Sequence, residues 1–302
     1  MKILKPRDVN NLLYYLLGAV LLVLNCMRHR LLGYRNPRPS SFAEVEKSID
    51  YDFKIVKRWK EYLSGYLKEE NPFKDKVILE LGVGPDLGTG VILLAEGAKK
   101  YIALDVNNLA RSVPVEFYGE LFDRLHSDKG SDIEYLSTQL ERFQRGEDSK
   151  ISYIVDKDFR ITEIKEEVDL IITQVAFEHF DDVGQTIKEI SNTIKKGGIL
   201  YSHVDMKTHS RWIQDRDPLN IYRYGDVFWK IFKFKGSPNR VRMPQYKKYL
   251  EMNNWSDTVM EPRTVLEKEY ANKVINTLSK RFRDFDVPEM YILSFILMAR
   301  KK

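Results

Sequence analysis

Cysteine is nearly missing from this 302-residue sequence. Cys26 stands alone, which excludes an intrachain disulfide and fits a reducing compartment. No internal repeat or low-complexity segment stands out. Charge of one sign is in small excess: 49 Lys and Arg against 44 Asp and Glu give a net +5. That excess does not by itself suggest nucleic acid, and no separate RNA-binding module is visible. Long apolar runs are scarce too. Leu12 to Leu24 is the notable uninterrupted one, and it falls short of the ~20 residues that comfortably span a bilayer. Asn25-Cys-Met-Arg28 offers no small-residue cleavage site of the kind a signal peptide needs. Material for a core is ample, at 43% hydrophobic and 12% aromatic residues, enough for one large domain or one domain with additions.

The most informative stretch is Val77-Ile-Leu-Glu-Leu-Gly-Val-Gly-Pro-Asp-Leu-Gly-Thr-Gly90. Val77 to Leu81 reads as a buried strand, a glycine-dense turn follows, and Val91-Ile-Leu-Leu-Ala-Glu96 suits the start of a helix. Glycines at a strand end let backbone N–H groups approach a ligand, and the helix behind presents its positive end. Gly82, Gly84 and Gly88 give G-x-G-x-x-x-G, not the dinucleotide G-x-G-x-x-G. Lys100 to Asp105 reads as a second strand ending in a carboxylate about 20 residues on, where an acid accepts hydrogen bonds from ribose hydroxyls. Ile151 to Val155 and Val168 to Gln174 read as further strands. The second leads into Val175-Ala-Phe-Glu-His-Phe-Asp-Asp182 and a helix from Val183 to Ile194. Lys195-Lys-Gly-Gly198 is expected to stop that helix, with strand resuming over 199–204.

With Glu80-Leu-Gly-Val-Gly84, Asp105, the segment from Asp169 to His179 and Lys196-Gly-Gly198 in this order, the chain resembles the class I S-adenosylmethionine-dependent methyltransferases over roughly residues 76–206. The resemblance implies an α/β fold: a Rossmann-like seven-stranded sheet, mostly parallel with an antiparallel terminal strand, helices on both faces, and here an added N-terminal apolar helix. It implies S-adenosylmethionine as cofactor, no metal, and no nucleic acid partner. Glu80, Gly82 and Gly84 are expected at the methionine end, Asp105 at the ribose, and Asp158 and Phe159 near the adenine. Gln174 is expected at a strand's carboxyl end, where open α/β sheets bind ligands. For a hydroxyl nucleophile a general base helps, and His179, Asp205 and His209 are the catalytic candidates. A metal site from His203, Asp205 and His209 lacks an evident fourth ligand.

Val204-Asp-Met-Lys-Thr-His209, Pro218 to Gly225, Trp229 and Asn239-Arg-Val-Arg242 are similar to a narrower group, the methyltransferases of bacterial polysaccharide and glycan gene clusters. That likeness implies O-methylation of a sugar or glycan precursor, carried on a nucleotide or polyprenyl phosphate. Alternatives remain a lipid or quinone acceptor and a non-catalytic cofactor-binding protein. Basic residues crowd Lys195 to Lys248, and the aromatics Trp212, Tyr222, Tyr224, Phe228, Trp229, Phe232 and Phe234 suit stacking on a sugar or belong to the core.

The expected organisation is an apolar helix over 1–34, a linker and cofactor-covering helix over 35–75, and a methyltransferase domain over 76–302 with a substrate-binding insertion around 206–250. Pro and Ser mark 35–41 as linker, and Val45, Ile49, Phe53, Val56, Trp59, Tyr62 and Leu63 recur at helical intervals. The long crossover from Val106 to Lys150 holds helices near 116–125 and 133–143. Met243 to Met252 and Arg263 to Phe282 read as helices, and Tyr291 to Met298 as a terminal strand inside the sheet. The apolar segment anchors a short or tilted span, lies in the membrane interface, or docks on the domain, and is read as not touching the chemistry. Basic residues after it favour a cytoplasmic body attached through residues 12–27.

Overall fold

A computed structural model describes residues 1–6, 10–33, 44–284 and 287–302. In chain order the elements begin with β1 (Lys2–Leu4), α1 (Asn11–Leu32), α2 (Val45–Leu67), β2 (Val77–Leu81), α3 (Gly88–Ala95) and β3 (Lys100–Asp105). The crossover supplies α4 (Val115–Lys129) and α5 (Ile133–Gln144), followed by β4 (Ile151–Val155), β5 (Val168–Gln174), α6 (Val183–Thr193) and β6 (Ile194–Asp205). The remainder holds α7 (Asp226–Phe232), α8 (Met243–Met252), β7 (Trp255–Leu266), α9 (Lys268–Ile275), α10 (Lys280–Arg283), α11 (Val287–Tyr291) and β8 (Ile292–Lys301). The strands form one mixed sheet in the order β1-β7-β8-β6-β5-β2-β3-β4. The last seven strands follow the Rossmann-like order expected from the sequence, and β1 is an unexpected eighth, parallel to β7 through Leu4 opposite Leu266. The expected linker over 35–41 lies outside the described residues.

By contacts the chain divides into two compact units, one of residues 37–174, 188–201 and 298–302, the other of 1–36, 175–187 and 202–297. The first carries the central parallel strands. β2 lies between β3 and β5, with Glu80 opposite Ala103 on one side and Ile172 on the other. A strand flanked on both sides is apolar on both faces, hence the continuous run Val-Ile-Leu before Glu80. The glycines after β2 are there for packing as well as for turning. A Cβ on Gly90 would lie 2.2 Å from Cε1 of Tyr101, and one on Gly88 would lie 2.1 Å from Oδ2 of Asp52. Only glycine allows α3 to sit this close to β3 and α2. The buried Trp59, Ile49, Val56 and Leu63 form the inward stripe of α2.

The second unit is built round α1 and the segment from 202 to 297. Asn10 caps α1 through Leu13 N–H, and Asn11 Oδ1 accepts from Arg223. Asn220 Nδ2 donates to Tyr14 O and the Tyr224 hydroxyl to Tyr15 O, and a Cβ on Gly18 would strike Asn220 Oδ1 at 2.0 Å. One face of α1 is therefore docked, through Tyr14, Gly18 and Cys26. Leu12, Leu13, Leu16, Val20, Leu24 and Leu31, on the other side, are exposed. With 22 residues α1 is longer than its apolar run and is long and apolar enough to cross a membrane by length and composition.

Two boundaries differ from the sequence reading. Helix over 263–282 is corrected: Arg263 to Leu266 finish β7, and two short helices, α9 and α10, follow. β7 alternates buried and part-exposed residues and carries Pro262, which lies outside the register with β1, where a missing N–H is tolerated. The strand after α6 starts at Ile194, not at 199. Gly197 takes φ +80°, and the missing Cβ of Gly198 lets the chain fold back onto Ile194.

Candidate active site

The glycine turn and the end of β3 meet through one carboxylate. Asp105, buried at the last position of β3, accepts from Gly84 N–H (3.2 Å) and Asn107 N–H (2.8 Å). Gly82 and Gly84 take φ +77° and +85°, a region that favours glycine, and a Cβ on Gly84 would meet nothing within 4 Å. Open space in front of a strand-end glycine, beside a fixed carboxylate and the first turn of a helix, is the cradle a nucleoside with an amino-acid tail requires. The donor set fits S-adenosylmethionine. Burial raises the Asp105 carboxyl, against the lowering pull of the Asn107 and Gly84 amides.

Glu80 is brought to the same turn, yet its Oε2 is already engaged. It accepts from the Thr89 hydroxyl (2.8 Å) and the Tyr101 hydroxyl (2.7 Å), so it ties β2 to α3 and β3. Burial pushes its pKa up to about 7, the two hydroxyls oppose this, and Asp86 and Asp105 add to it. Gln174 ends β5 as expected, its Oε1 accepting from Trp59 Nε1 (3.2 Å) on α2. Asp158 and Phe159 form the turn after β4: Asp158 N–H donates to Asp156 Oδ1, and Phe159 sits at φ +54°. Asp156 N–H donates to Asp105 O, which places this turn beside the Asp105 carboxylate.

Sequence reading missed Asp52 and Asp86. Both are buried, Asp86 accepts from Gly88 N–H (3.0 Å), and Oδ2 of Asp52 has no hydrogen-bond partner. Burial, then the neighbouring Asp86, raises Asp52 far above the usual carboxylate range, and burial raises Asp86 as well. The signal was an acid inside the apolar stripe of α2, which a search for periodic apolar residues passes over.

In the other unit the three catalytic candidates do come together. His179 and His209 have ring centroids 4.9 Å apart, and His209 Nε2 is 4.0 Å from Asp205 Oδ2. His179 Nδ1 lies 2.7 Å from Gly236 O, which fixes the proton on Nδ1 and leaves Nε2 as a lone pair. Burial lowers both imidazoles to about 4, helped by the facing histidine for His179 and by Lys207 for His209. Both rings are neutral at physiological pH. Lys207 Nζ is 3.5 Å from Asp205 Oδ2. Next to His179 in the chain, Glu178 is buried with neither carboxylate oxygen hydrogen-bonded, and sequence reading missed it. Val175, at the start of this segment, takes φ +53°, a strained value for a β-branched residue and a mark of functional turns.

Asn239, Arg240 and Arg242 turn out to be structural. Asn239 Nδ2 donates to Phe177 O (2.8 Å) and Phe180 O (3.0 Å), clamping the turn that carries Glu178 and His179. Arg240 is buried over Trp229 and bonds Tyr224 O and Asp226; Arg242 is buried against Tyr222 and bonds Ile292 O. Together with Arg223, paired to Asp217, they are withdrawn from the basic surface the sequence suggested. Tyr222, Tyr224 and Trp229 are likewise core, whereas Trp212 is 76% exposed. α1 does reach this site, contrary to expectation. A narrow, mostly apolar cleft of about 60 Å³ is lined by Gly18, Leu21, Leu22 and Asn25 of α1 and by His209.

A methyltransferase domain family matches residues 118–202, from α4 into β6. No curated protein matches the sequence. Among solved structures the chain is similar to the CurJ carbon methyltransferase, at 14% identity and TM-score 0.46 over 97% of this chain and 72% of that one. An S-adenosylmethionine-dependent methyltransferase from Mesorhizobium loti matches at 12% and 0.40 (76% and 92% covered). Phosphoethanolamine N-methyltransferase 2 of Haemonchus contortus, solved with S-adenosyl-L-methionine, matches at 13% and 0.40 (79% and 52%). The strand order is that of a Rossmann-like methyltransferase fold, and a methyltransferase domain family matches part of it. The Gly82–Gly84 turn and Asp105 form a cradle whose donors fit S-adenosylmethionine.

The buried Glu80 gives stability a pH signature. Between about 4.5 and 7 the unfolded chain releases this proton while the folded chain keeps it, so Glu80 costs stability progressively as pH rises through that window. Glu80→Gln retains an acceptor for Thr89 and Tyr101 and cannot ionise. Urea denaturation is expected to show the variant gaining about 3 kcal/mol on the parent between pH 4.5 and 8. Parallel profiles would contradict the assignment.

Proposed function

We propose that the chain O-methylates a hydroxyl of a glycan precursor held at a membrane surface, the sugar being joined through phosphate to a lipid. One observation carries the reading: the docked face of α1 lines the cleft that reaches His209, while the opposite face of the same helix is apolar and exposed. A helix with its apolar side outward suits insertion at the headgroup boundary. Exposed Arg28, Arg30, Arg211, Arg216, Lys230 and Lys235 of the same unit suit an anionic lipid surface or a phosphate-linked acceptor. Trp212, Val227 and Ile231, also exposed, add apolar area.

In this reading the sulfonium of S-adenosylmethionine supplies the electrophilic methyl group. The protein's part is positioning. Asp105 and the Gly82–Gly84 amides orient the cofactor, Trp59 and Gln174 hold α2 in place, and Asn239 fixes the turn that presents His179. His179 and His209, neutral with free Nε2 lone pairs, accept from or hold the acceptor hydroxyl, and Asp205 balances the charge of Lys207 beside them. A hydrophobic acceptor such as a lipid or quinone is the second reading, favoured by the apolar lining of the cleft.

Incubation with methyl-labelled cofactor and, in parallel, a polyprenyl-phosphate-linked oligosaccharide fraction and a quinone and phospholipid fraction decides between them. Label released with the sugar after mild acid is expected; label remaining only in the lipid would overturn the glycan reading. For the membrane contact, the protein is expected to float with phosphatidylglycerol vesicles, and Leu16→Glu with Val20→Glu to abolish flotation while leaving the fold intact. Parent protein that stays at the bottom of the gradient would end that part of the proposal.

A further inference from the structure

Glu178, His179 and His209 each place one donor atom so that all three atoms lie within 4.8 Å of one another. We propose that these three side chains form a binding site for a divalent transition-metal ion of the zinc type. The inference stands apart from the choice of acceptor.

The chemistry of each donor supports it. Two neutral imidazole nitrogens and one carboxylate make up the ligand set of open, four-coordinate zinc sites, in which the fourth position is left for water or substrate. His179 has its Nδ1 on the Gly236 carbonyl, and a ring nitrogen of His209 is turned to the Asp205 carbonyl. A metal-bound histidine gives its second nitrogen to this kind of backbone partner, which fixes the tautomer and aims the other lone pair. His209 Nε2 has no hydrogen-bond partner, and neither does either carboxylate oxygen of Glu178. Glu178 is only 2% exposed.

An unpaired carboxyl so deeply buried calls for a physical reason, because an uncompensated buried acid costs several kcal/mol. A divalent ion at this place would supply the charge partner that the buried carboxylate lacks. Asp205 Oδ2, 4.0 Å from His209 Nε2, adds negative charge near the ion, and Lys207 is the single cation paired to it among the described residues. Zinc–ligand bonds of about 2.1 Å place donors roughly 3.4 Å apart, so donor atoms that now lie within 4.8 Å of one another would draw closer on binding. The turn clamped by Asn239 positions two of the three donors, and β6 leads directly to the third. An ion held here with an open position would polarise an acceptor hydroxyl oxygen.

This set differs from the His203, Asp205 and His209 combination that spacing alone suggests, since the third ligand comes from the turn after β5. The test uses the full chain, freed of metal by chelation and checked for folding by circular dichroism. Titration calorimetry with zinc chloride is expected to give one equivalent bound with micromolar or tighter affinity. Cobalt chloride is expected to give the visible absorption of a four-coordinate site. Glu178→Gln and His209→Asn should each weaken binding at least tenfold, and His126→Ala, on the exposed face of α4, should not. If a variant misfolds, broadening of the His179 and His209 ring resonances by cobalt in the parent protein, with His126 sharp, gives the same answer. No stoichiometric uptake of zinc or cobalt by the parent, or equal affinity in both ligand variants, overturns the proposal.

Discussion

The carboxylate of Asp105, gripped by the amides of Gly84 and Asn107, ties the glycine turn after β2 to the end of β3. The loop cannot be rigid without that tie, since Gly82 and Gly84 are the least restricted residues in the chain and both occupy left-handed backbone. The same carboxylate also orders the adjoining turn, because the Asp105 carbonyl accepts from Asp156, whose side chain in turn holds Asp158. One residue thus positions three segments that come together only in the folded protein.

Burial of acids runs through the rest of the molecule. Glu80, Asp52, Asp86 and Glu178 are all withdrawn from water, and their surroundings differ. Two hydroxyls hold Glu80, the Gly88 amide holds Asp86 with Asp52 close by, and neither Glu178 carboxylate oxygen has a hydrogen-bond partner. The first two arrangements lie between the glycine turn, α3 and α2, so their cost is recovered as geometry. The third has no such return from a hydrogen bond within the protein.

The cofactor half of the fold was legible because buried parallel strands write themselves as short apolar runs. Val77 to Leu81, Lys100 to Asp105, Ile151 to Val155 and Val168 to Gln174 all form strands at the expected bounds. β7 was invisible for the opposite reason: its residues alternate in exposure and Pro262 argues against a strand unless the edge there is unpaired. Asp52 and Glu178 hid among apolar neighbours, since sequence periodicity cannot say which polar residue in a stripe is buried. Asn239, Arg240 and Arg242 were suggestive as a motif, and their side chains prove to hold backbone carbonyls in place instead. The apolar run of α1 was plain, but its outward orientation depends on Asn220 and Tyr224, some two hundred residues away in sequence.

Calorimetry of S-adenosylhomocysteine binding tests the central claim most directly, with the parent protein and Asp105→Ala compared at equal, verified folding. Loss of charged hydrogen bonds to a ligand costs about 1.5–3 kcal/mol, so the account predicts one site in the parent and roughly 10- to 100-fold weaker binding in the variant. Equal affinity in the two proteins, or no uptake by the well-folded parent, would contradict it.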